Sequence, residues 1–386
     1  MFQRVVLIVL DGVGVGALPD AADYGDDAAA TLQHVGDAVG GLELPHLEAL
    51  GLGNIADIPG VSAIATTGYW GKMAERSAGK DSVTGHWELA GVVLEEPFAT
   101  FPTGFPAEII ASFIAETGLE PLGNVAASGT DILCQLGEEH LRTGQPIIYT
   151  STDSVFQIAA HEAVIPPPRL YEICLQAEKI LRPYNVCRVI ARPFVGTTAA
   201  NFKRTAGRHD FSRKPPRATL LQKMQQLGLE TCGVGKIHDL YAGLGLSTTY
   251  TSKNNAAGMR QTLEALGKIK SGLVMTNLVD FDMLYGHRLD ADGFAGALQE
   301  FDRWLPQLVK CLKGTDLLLI TADHGCDPTT LGTDHTREYV PVLAWAPTMS
   351  SSGSLGVRSS FSDVGATIAE NFAIDLAGDS FLSSLT

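Results

Sequence analysis

Three carboxylates and three imidazoles stand near the ends of strand-like segments at the two extremes of the chain. They are Asp11, Asp282, His287, Asp323, His324 and His335. Asp11 directly follows the apolar run 5–10, and Asp323 comes just after the apolar run 317–321. Six oxygen and nitrogen ligands without a thiolate are enough for two divalent cations, and they suit Mn²⁺, Mg²⁺ or Zn²⁺. Two adjacent cations indicate phosphoryl-group chemistry, because they can hold the attacking and the leaving oxygen together.

Each of these residues also has a simpler interpretation when it is taken alone. An Asp at the end of a strand commonly caps a helix, and Asp-His-Gly at 323–325 is typical of an ordinary turn. Within a flat strand, Asp323 and His324 would point to opposite faces. At a strand end followed by Gly325, the backbone can bend and direct both side chains to one site. The metal hypothesis therefore depends on the combination.

Short β-branched runs alternate with helical patterns along the chain, which predicts an α/β fold with a largely parallel sheet. We predict strands at 5–10, 147–150, 187–191, 231–234, 273–277, 317–321 and 342–345. A helix is predicted at 107–117, because Pro106 precedes it and Gly118 follows it. Apolar residues at helical spacing predict a second, long helix over 294–312, which we expect Pro306 to kink.

The middle of the chain is predicted to be an inserted domain, because the metal-type residues all lie before residue 12 or after residue 280. Pro97, Pro102 and Pro106 mark its beginning, and the segment KPPR at 214–217 marks its end. We therefore expect a metal-binding core made of residues 1–97 and 217–386. Residues 98–216 are expected to form a smaller α/β cap.

The segment 188–217 is basic in a chain that is acidic overall. Its cations are Arg188, Arg192, Lys203, Arg204, Arg208, Arg213, Lys214 and Arg217. Asp210 is the acid among them. A run of like charges is commonly just a solvated face of the protein. In a chain with a net charge of −15, we interpret it instead as a site for an anionic ligand such as phosphate.

The composition argues against several classes of protein. A net charge of −15 and a pI near 5.0 disfavour non-specific binding to nucleic acid or to anionic membranes. The six cysteines form no CxxC pair, as expected for reduced thiols in a cytoplasmic protein. We identify no targeting segment, and no apolar run approaches the roughly 18 residues that span a bilayer. We also expect no obligate protein partner.

The glycine-flanked polar segment GKDSVTGHWE at 79–88 offers two candidate nucleophiles, Ser82 and Thr84. Neither hydroxyl lies in the G-x-S-x-G turn of a triad hydrolase. A hydroxyl beside a divalent cation can instead be activated by coordination. In the simpler interpretation, both hydroxyls cap backbone groups of a turn. The residues alone leave this choice open.

Together these segments resemble the phosphopentomutases, a family of the alkaline phosphatase superfamily, over essentially the whole chain. The most specific strings are GHWE at 85–88, ARPF at 191–194 and DHTRE at 334–338. The string DHG at 323–325 is shared by much of the superfamily. The resemblance implies an alkaline phosphatase-like three-layer core, with a mainly parallel sheet and an inserted smaller α/β cap domain.

The resemblance also implies a metal centre and a nucleophile. It implies two Mn²⁺ ions, with Mg²⁺ or other divalent ions as possible occupants. One ion would be held by Asp282, His287 and His335, and the other by Asp11, Asp323 and His324. Ser82 matches the phosphorylated position, where the family commonly has Thr. Cys326 stands where the family commonly has Asn, and Asp280 matches a family residue to which we assign no metal role.

The reaction implied is the interconversion of ribose 1-phosphate and ribose 5-phosphate, and likewise of the 2-deoxyribose phosphates. Phosphorylated Ser82 would give its phosphoryl group to a sugar hydroxyl, and the other phosphate of the resulting bisphosphate would return to Ser82. A sugar 1,6-bisphosphate would prime the enzyme. The substrate-binding positions implied are Ser151, Asp153, Arg192, Arg208 and Lys236.

Two alternatives remain. One is another enzyme of the superfamily, such as a cofactor-independent phosphoglycerate mutase or a phosphatase. The family-specific sequence strings in the cap segment and the chain length disfavour the phosphoglycerate mutase. The other is a metal- or phosphate-binding protein without catalytic activity, which the intact ligand set and the hydroxyl of Ser82 argue against.

Overall fold

β-Branched and leucine-rich runs form the strands of this computed structural model, which describes residues 1–151 and 154–386. In chain order the strands are β1 (Arg4–Leu10), β2 (Tyr69–Met73), β3 (Leu122–Ala126), β4 (Ile147–Thr150), β5 (Val155–His161), β6 (Arg188–Val195), β7 (Lys203–Arg204), β8 (His209–Ser212), β9 (Glu230–Val234), β10 (Thr248–Tyr250), β11 (Gly272–Leu278), β12 (Asp316–Thr321), β13 (Val340–Trp345) and β14 (Gly353–Arg358). Every strand predicted from the sequence is present, with ends close to those expected.

Helices follow most of the strands. In chain order they are α1 (Thr31–Val39), α2 (Pro45–Leu50), α3 (Ser82–Leu89), α4 (Ala107–Thr117), α5 (Asp131–Thr143), α6 (Pro167–Leu181), α7 (Leu220–Gln226), α8 (Ile237–Leu240), α9 (Asn255–Lys268), α10 (Ala291–Cys311), α11 (Ser362–Asn371) and α12 (Leu382–Leu385). Short 3₁₀ turns lie at Ala21–Tyr24, Leu52–Asn54, Arg182–Tyr184 and Gly286–Arg288, and a π-helical turn lies at Phe281–Tyr285. Helix α4 has the predicted bounds, and α10 continues through Pro306 as one helix.

The chain divides into two units. The core unit consists of Met1–Glu96 and Pro215–Thr386, and the cap unit consists of Pro97–Lys214.

The core unit is built on a sheet with the strand order β10-β9-β11-β1-β12-β13-β2-β14. Neighbours are parallel except where β13 pairs with β12 and with β2. The central strands β1, β11 and β12 are buried along their whole length. Such burial is expected where helices cover both faces of a parallel sheet.

The helices of the core unit form two groups that pack on the sheet. Helices α1, α2 and α9 contact α10, while α8 and α11 contact α3. Short connections between a parallel strand and its helix place the start of each helix at the carboxyl edge of the sheet. This arrangement is the predicted three-layer architecture, and it directs the chemistry-bearing loops to a single edge.

The cap unit has its own mixed sheet, with the order β3-β4-β5-β6-β7 and with β8 paired to β6. Strand β5 is parallel to β6, whereas β4 is antiparallel to β5. One hydrophobic cluster joins this sheet to α4 and α6 and includes Phe113, Phe156 and Ile173. A second cluster, which includes Ile132 and Phe194, packs the sheet against α5. The cap unit therefore has helices packed on its sheet through two separate apolar clusters.

Across residues 1–151 and 154–386, none of the helices has the length and apolar character that a bilayer crossing needs.

A buried ion pair holds the amino edge of the core sheet. Arg4 and Asp316 are both 2% exposed and form a salt bridge at the beginning of β1 and β12. Arg4 Nη1 also donates to the carbonyl oxygens of Leu266 and Ile269, at 2.6 and 2.8 Å. The guanidinium thus ties the first residues of two central strands to the end of α9.

We expect Asp316→Asn to lower the free energy of unfolding by about 3–5 kcal/mol, because it leaves the Arg4 charge buried without a counter-charge. The matched control is Asp57→Asn, the same change at an exposed loop position. Urea denaturation followed by circular dichroism measures both. Equal denaturation midpoints for the two variants would show that the pair contributes little.

Candidate active site

The carboxyl edge of the core sheet brings the predicted acidic residues together. Asp11 directly follows β1, Asp323 follows β12, and Asp282 follows β11. Because β1 lies between β11 and β12 and is parallel to both, the three carboxylates leave adjacent strands at the same edge. His335 precedes β13, which is antiparallel to β12 and therefore begins at this edge.

Asp11, Asp323 and His324 form one group of potential ligands. All three are buried, with exposed fractions of 0, 0 and 1%. His324 Nε2 lies 3.3 Å from Asp11 Oδ1 and 3.5 Å from Asp323 Oδ2. The Gly12 N–H donates to Asp323 Oδ1 at 3.2 Å, which fixes the orientation of that carboxylate.

Asp282, His287 and His335 form a second group. Asp282 Oδ1 lies 3.2 Å from the Nε2 atoms of both His287 and His335. His287 Nδ1 is 2.6 Å from the Thr333 carbonyl oxygen, to which it can only donate. This contact leaves Nε2 of the neutral ring free to act as a ligand. The ring centroids of His324 and His335 are 4.1 Å apart, so the two groups are adjacent.

Several of these side chains lie close enough together to hold divalent cations. Among the described residues, ligand atoms that lie within 4.8 Å of one another occur in the sets Asp11–Asp323–His324, Asp282–His324–His335 and Asp282–His287–Cys326. Within the same residues, the buried oxygens Asp282 Oδ1 and Asp323 Oδ2 accept no well-aligned hydrogen bond. A buried carboxylate oxygen without a donor is costly, and a bound cation would satisfy it. The oxygen and nitrogen donors suit Mn²⁺, Mg²⁺ or Zn²⁺.

Lys236 supplies a fixed positive charge beside the carboxylates. Its Nζ lies 2.9 Å from Asp11 Oδ2 and 3.6 Å from Asp282 Oδ2. Burial disfavours the charged ammonium group, but Asp11 and Asp282 outweigh burial and raise the pKa of Lys236. Burial likewise opposes ionisation of Asp11, yet Lys236 and His324 hold the pKa of Asp11 well below its usual range. Asp11 and Lys236 therefore keep their charges at neutral pH.

Ser82 is the first residue of α3 and points into this cluster. Its Oγ donates to Asp11 Oδ1 at 3.3 Å and lies 3.1 Å from His324 Nε2. The other candidate hydroxyl, Thr84, is fully buried and donates to Asp81 Oδ2 at 2.5 Å. Asp81 caps the helix by accepting from the backbone N–H groups of residues 83 and 84. The geometry therefore favours Ser82 as the nucleophile, because the Thr84 hydroxyl is already bound to the capping side chain of Asp81.

Helix α3 approaches the end of β12 very closely, and the sequence did not reveal this contact. A Cβ on Gly85 would lie 2.0 Å from the Asp323 carbonyl oxygen, so only glycine fits there. His86, which is fully buried, contacts the Ser82 carbonyl oxygen through Nδ1 at 2.8 Å. The same nitrogen lies 2.9 Å from Asp323 Oδ2. The string GHWE thus contains positioning residues, and its specificity to the family was the only signal of them.

Arg337 organises the loop that precedes Ser82, and it too was missed as a functional residue. It is 3% exposed and pairs with Glu75 at 2.9 Å and with Asp20 at 2.9 Å. Its guanidinium also donates to the carbonyl oxygens of Ser77 and Gly79, at 2.8 and 2.5 Å. One cation therefore holds both ends of the turn from β2 to α3.

Cys326 lies at the second group of ligands. Its thiol is buried, and burial together with the charge of Asp282 raises its pKa well above the usual value. A Cβ on Gly286 would lie 2.4 Å from Cys326 Sγ. Gly12, with φ +81°, has room for no Cβ because Cys326 Cβ would be 2.8 Å away. Gly12 and Gly286 therefore let the backbone pass close to Cys326 and the ligand cluster.

The remaining predicted site residues, and Asp280, are not members of these ligand groups. Asp280 accepts from the Asn255 N–H at 2.7 Å and is absent from the ligand groups found among the described residues. Ser151, Arg192 and Arg208 belong to the cap unit, and Asp153 lies outside the described residues. Ser151 is half-buried, directly after β4.

Arg192 and Arg208 have different surroundings within the cap unit. Arg192 Nε donates to Gln157 Oε1 at 3.1 Å. Arg208 forms two hydrogen bonds to the carboxylate of Asp210, each 2.7 Å long. Burial and, to a smaller extent, the neighbouring guanidinium of Arg208 lower the pKa of Arg192.

The chain is similar to proteins of known family over its whole length. A family model for the metalloenzyme superfamily matches residues 3–376. The phosphopentomutase of Syntrophotalea carbinolica is 60% identical over 386 residues, covering 100% of this chain and 98% of the relative. That of Caldanaerobacter subterraneus subsp. tengcongensis is 54% identical over 392 residues, with coverage of 100% and 98%. The solved PH0037 protein from Pyrococcus horikoshii has a similar fold, with a TM-score of 0.52, 15% identity and coverage of 98% and 99%.

Metal binding should stabilise the protein. Adding Mn²⁺ to chelator-treated protein should raise Tm, because a ligand at one hundred times its Kd stabilises the folded state by about 2.7 kcal/mol. His335→Ala should weaken Mn²⁺ binding in calorimetric titration, because it removes one nitrogen ligand, while the Tm of the metal-free protein changes little. His238→Ala removes an imidazole that is 52% exposed and lies outside the ligand groups, and it serves as the control. Equal Mn²⁺ affinities in the two variants would exclude His335 as a ligand.

Proposed function

The chain belongs to the phosphopentomutase family of the metalloenzyme superfamily, and we propose that Ser82 carries the phosphoryl group between positions 1 and 5 of ribose and 2-deoxyribose. It is an isomerase with an alkaline phosphatase-like α/β core. The observation that carries the role of Ser82 is its place at the beginning of α3, with Oγ 3.3 Å from Asp11 Oδ1 and 3.1 Å from His324 Nε2.

We propose Mn²⁺ as the cation at both groups of ligands, with Mg²⁺ or another divalent ion as a substitute. Asp11, Asp323 and His324 would hold one ion; Asp282, His287 and His335 would hold the other. When bound, the two cations neutralise charge that develops on the phosphoryl oxygens and lower the pKa of the attacking hydroxyl. The close approach of buried carboxylate oxygens and imidazole nitrogens supports this assignment.

The protein's own groups prepare Ser82 for phosphoryl transfer. The first turn of α3 favours negative charge on Ser82, because the helix dipole is positive there. Lys236 adds a positive charge whose pKa is raised, so it stays protonated at neutral pH. His86 holds the Ser82 carbonyl, and Arg337 holds the preceding turn. These contacts fix the nucleophile, so little reorganisation is needed when the phosphoryl group arrives or leaves.

The transfer would occur in two halves. In the first, the free sugar hydroxyl forms a new bond to phosphorus while the bond from phosphorus to Ser82 Oγ breaks, which yields a sugar bisphosphate. In the second, Ser82 Oγ attacks the other phosphate of the bisphosphate and releases the isomeric monophosphate. We propose a sugar 1,6-bisphosphate as the activator, because it can phosphorylate Ser82 at the start of the cycle.

The sugar bisphosphate must stay bound between the two half-reactions. We propose that Ser151, Asp153, Arg192 and Arg208 of the cap, together with Lys236, bind the sugar and its distal phosphate. The concentration of guanidinium groups in the segment 188–217 supports this role, since arginine matches the geometry of phosphate. We keep residues 98–216 as the proposed extent of the cap.

We also propose a cytoplasmic location. The cysteines are all free, which supports a reducing compartment.

Ser82→Ala should eliminate both the conversion of ribose 5-phosphate and the mass increment of the phosphoenzyme, because the group that carries the phosphoryl is removed. Ser82→Thr should keep both, since it keeps a hydroxyl at this position. A coupled assay with Mn²⁺ measures turnover, and peptide mass spectrometry locates the phosphate. Phosphate found on Thr84, or turnover of 3-phosphoglycerate in place of ribose 5-phosphate, would contradict the proposal.

Arg208→Ala should lower mutase activity by about tenfold to a hundredfold, because a hydrogen bond to a charged group contributes about 1.5–3 kcal/mol. The ratio of released inorganic phosphate to isomerised sugar should rise, since the bisphosphate is retained less well while water reaches the phosphoenzyme. Arg182→Ala is the control, because Arg182 is an exposed cap arginine that also pairs with a carboxylate, that of Glu178. If Arg208→Ala changes neither the ratio of inorganic phosphate to isomerised sugar nor the mutase rate, the basic segment is only a solvated surface and does not bind the substrate.

A further inference from the structure

Tyr149 carries a buried hydroxyl that has no partner. The residue lies in β4 and is 1% exposed. Its hydroxyl makes no hydrogen bond to any residue that the structure describes. Burial raises its pKa, so the group remains a protonated donor at neutral pH. A buried donor without an acceptor is unfavourable, and most such groups in proteins contact a ligand or an ordered water.

The guanidinium of Arg204 lies close to the Tyr149 hydroxyl, beside Gly129. A Cβ on Gly129 would lie 1.9 Å from Arg204 Nη2 and 2.6 Å from the Tyr149 hydroxyl oxygen. Gly129 therefore leaves the space in which the guanidinium and the hydroxyl come together. Arg204 is exposed, and none of the hydrogen bonds or salt bridges found among the described residues involves its side chain. Its charge is available to an incoming anion.

Three arginine side chains contribute positive charge around the Tyr149 hydroxyl. The guanidinium groups of Arg192, Arg204 and Arg208 all act on the Tyr149 hydroxyl. Asp210 faces them, but it already accepts two hydrogen bonds from Arg208. Repulsion from Arg208 contributes, after burial, to the lowered pKa of Arg192. An anion bound here would relieve this repulsion.

The beginning of α5 adds a weaker attraction. The helix runs over Asp131–Thr143, and its N-cap residue Thr130 follows Gly129 directly. Thr130 makes no capping hydrogen bond through its side chain. The first backbone N–H groups of a helix of this length are oriented toward anions. Asp131 in the first turn is exposed and opposes this effect in part.

We propose that Tyr149, Arg204 and the backbone at Gly129 form a binding site for a phosphate monoester in the cap unit, with Arg192 at its side. The inference rests on the proposed function and deepens it, because a mutase that passes through a bisphosphate must hold a second phosphate away from Ser82. The tyrosine hydroxyl donates one hydrogen bond, and the guanidinium donates up to two and adds charge. Free inorganic phosphate shares this chemistry, so the experiment must distinguish the two.

The test compares Arg204→Gln with Lys203→Gln, which removes the same charge from the neighbouring residue of β7. Glucose 1,6-bisphosphate is titrated calorimetrically into Mn²⁺-loaded protein in the Ser82→Ala background, in which no turnover occurs. Arg204→Gln should weaken binding by about tenfold to a hundredfold, and Lys203→Gln by less than about threefold. Equal effects of the two substitutions would overturn the site.

Tyr149→Phe separates a ligand-binding role from a structural one. It removes a hydroxyl that has no partner in the ligand-free protein, so the melting midpoint without ligand should stay the same or rise. Affinity for the bisphosphate should fall by about tenfold, because one hydrogen bond to a charged acceptor is lost. A lower midpoint with unchanged affinity would assign the hydroxyl to the fold and contradict the proposal.

Inorganic phosphate and ribose 5-phosphate are titrated in parallel. If Arg204→Gln weakens the binding of inorganic phosphate but not that of the bisphosphate, the site takes the free anion and the inference about the sugar phosphate is wrong. Turnover of ribose 5-phosphate by the wild-type enzyme is measured separately. Its absence would contradict the proposed function, whereas normal turnover with no Arg204 effect would contradict only the cap site.

Discussion

The accumulation of buried negative charge at one edge of the core sheet is the constraint on which the rest of this structure depends. Asp11, Asp282 and Asp323 are at most 3% exposed, and they leave three neighbouring strands side by side. Three carboxylates in such a place repel one another and lose hydration. Lys236 and His324 compensate only part of the charge, so the folded protein is built to take up cations.

Ser82, the proposed nucleophile, is held by several contacts around this charge. Gly85 lets α3 touch the backbone of β12, and Arg337 fixes the turn before Ser82 through several hydrogen bonds. The Glu338 carboxylate accepts from the backbone N–H groups of Gly16 and Thr31, which ties the loop after β1 to the same region. Ser82 is thus positioned by contacts between segments that are distant in sequence. Such positioning is expected where a hydroxyl must meet phosphorus with little freedom to move.

Much of the fold could be predicted from the sequence because its signals are local. Buried β-branched runs identified the central strands, and Pro106 with Gly118 identified both ends of α4. The six metal-type residues could be expected to meet because strand ends in a parallel sheet share an edge, whereas their division into two groups came only from the family resemblance. His86, Arg337 and Gly85 could not be assigned roles in this way, since their partners lie up to 317 residues away in the chain. The missing hydrogen-bond partner of the Tyr149 hydroxyl likewise cannot be predicted from the sequence, because it depends on the atoms that surround this oxygen in the fold.

The antiparallel direction of β13 has a consequence for how this chain can be rearranged. The connection from β12 to β13 leaves the sheet at the carboxyl edge and returns to it, and backbone hydrogen bonds between Gly325 and Thr336 close its base. The tip, residues 329–334, is largely exposed. A break at Leu331, which is fully exposed, would leave each half of the connection anchored on its own strand. New chain termini at this tip, with residues 1 and 386 joined by a linker, would therefore preserve the order of the central strands, so the tip suits circular permutation.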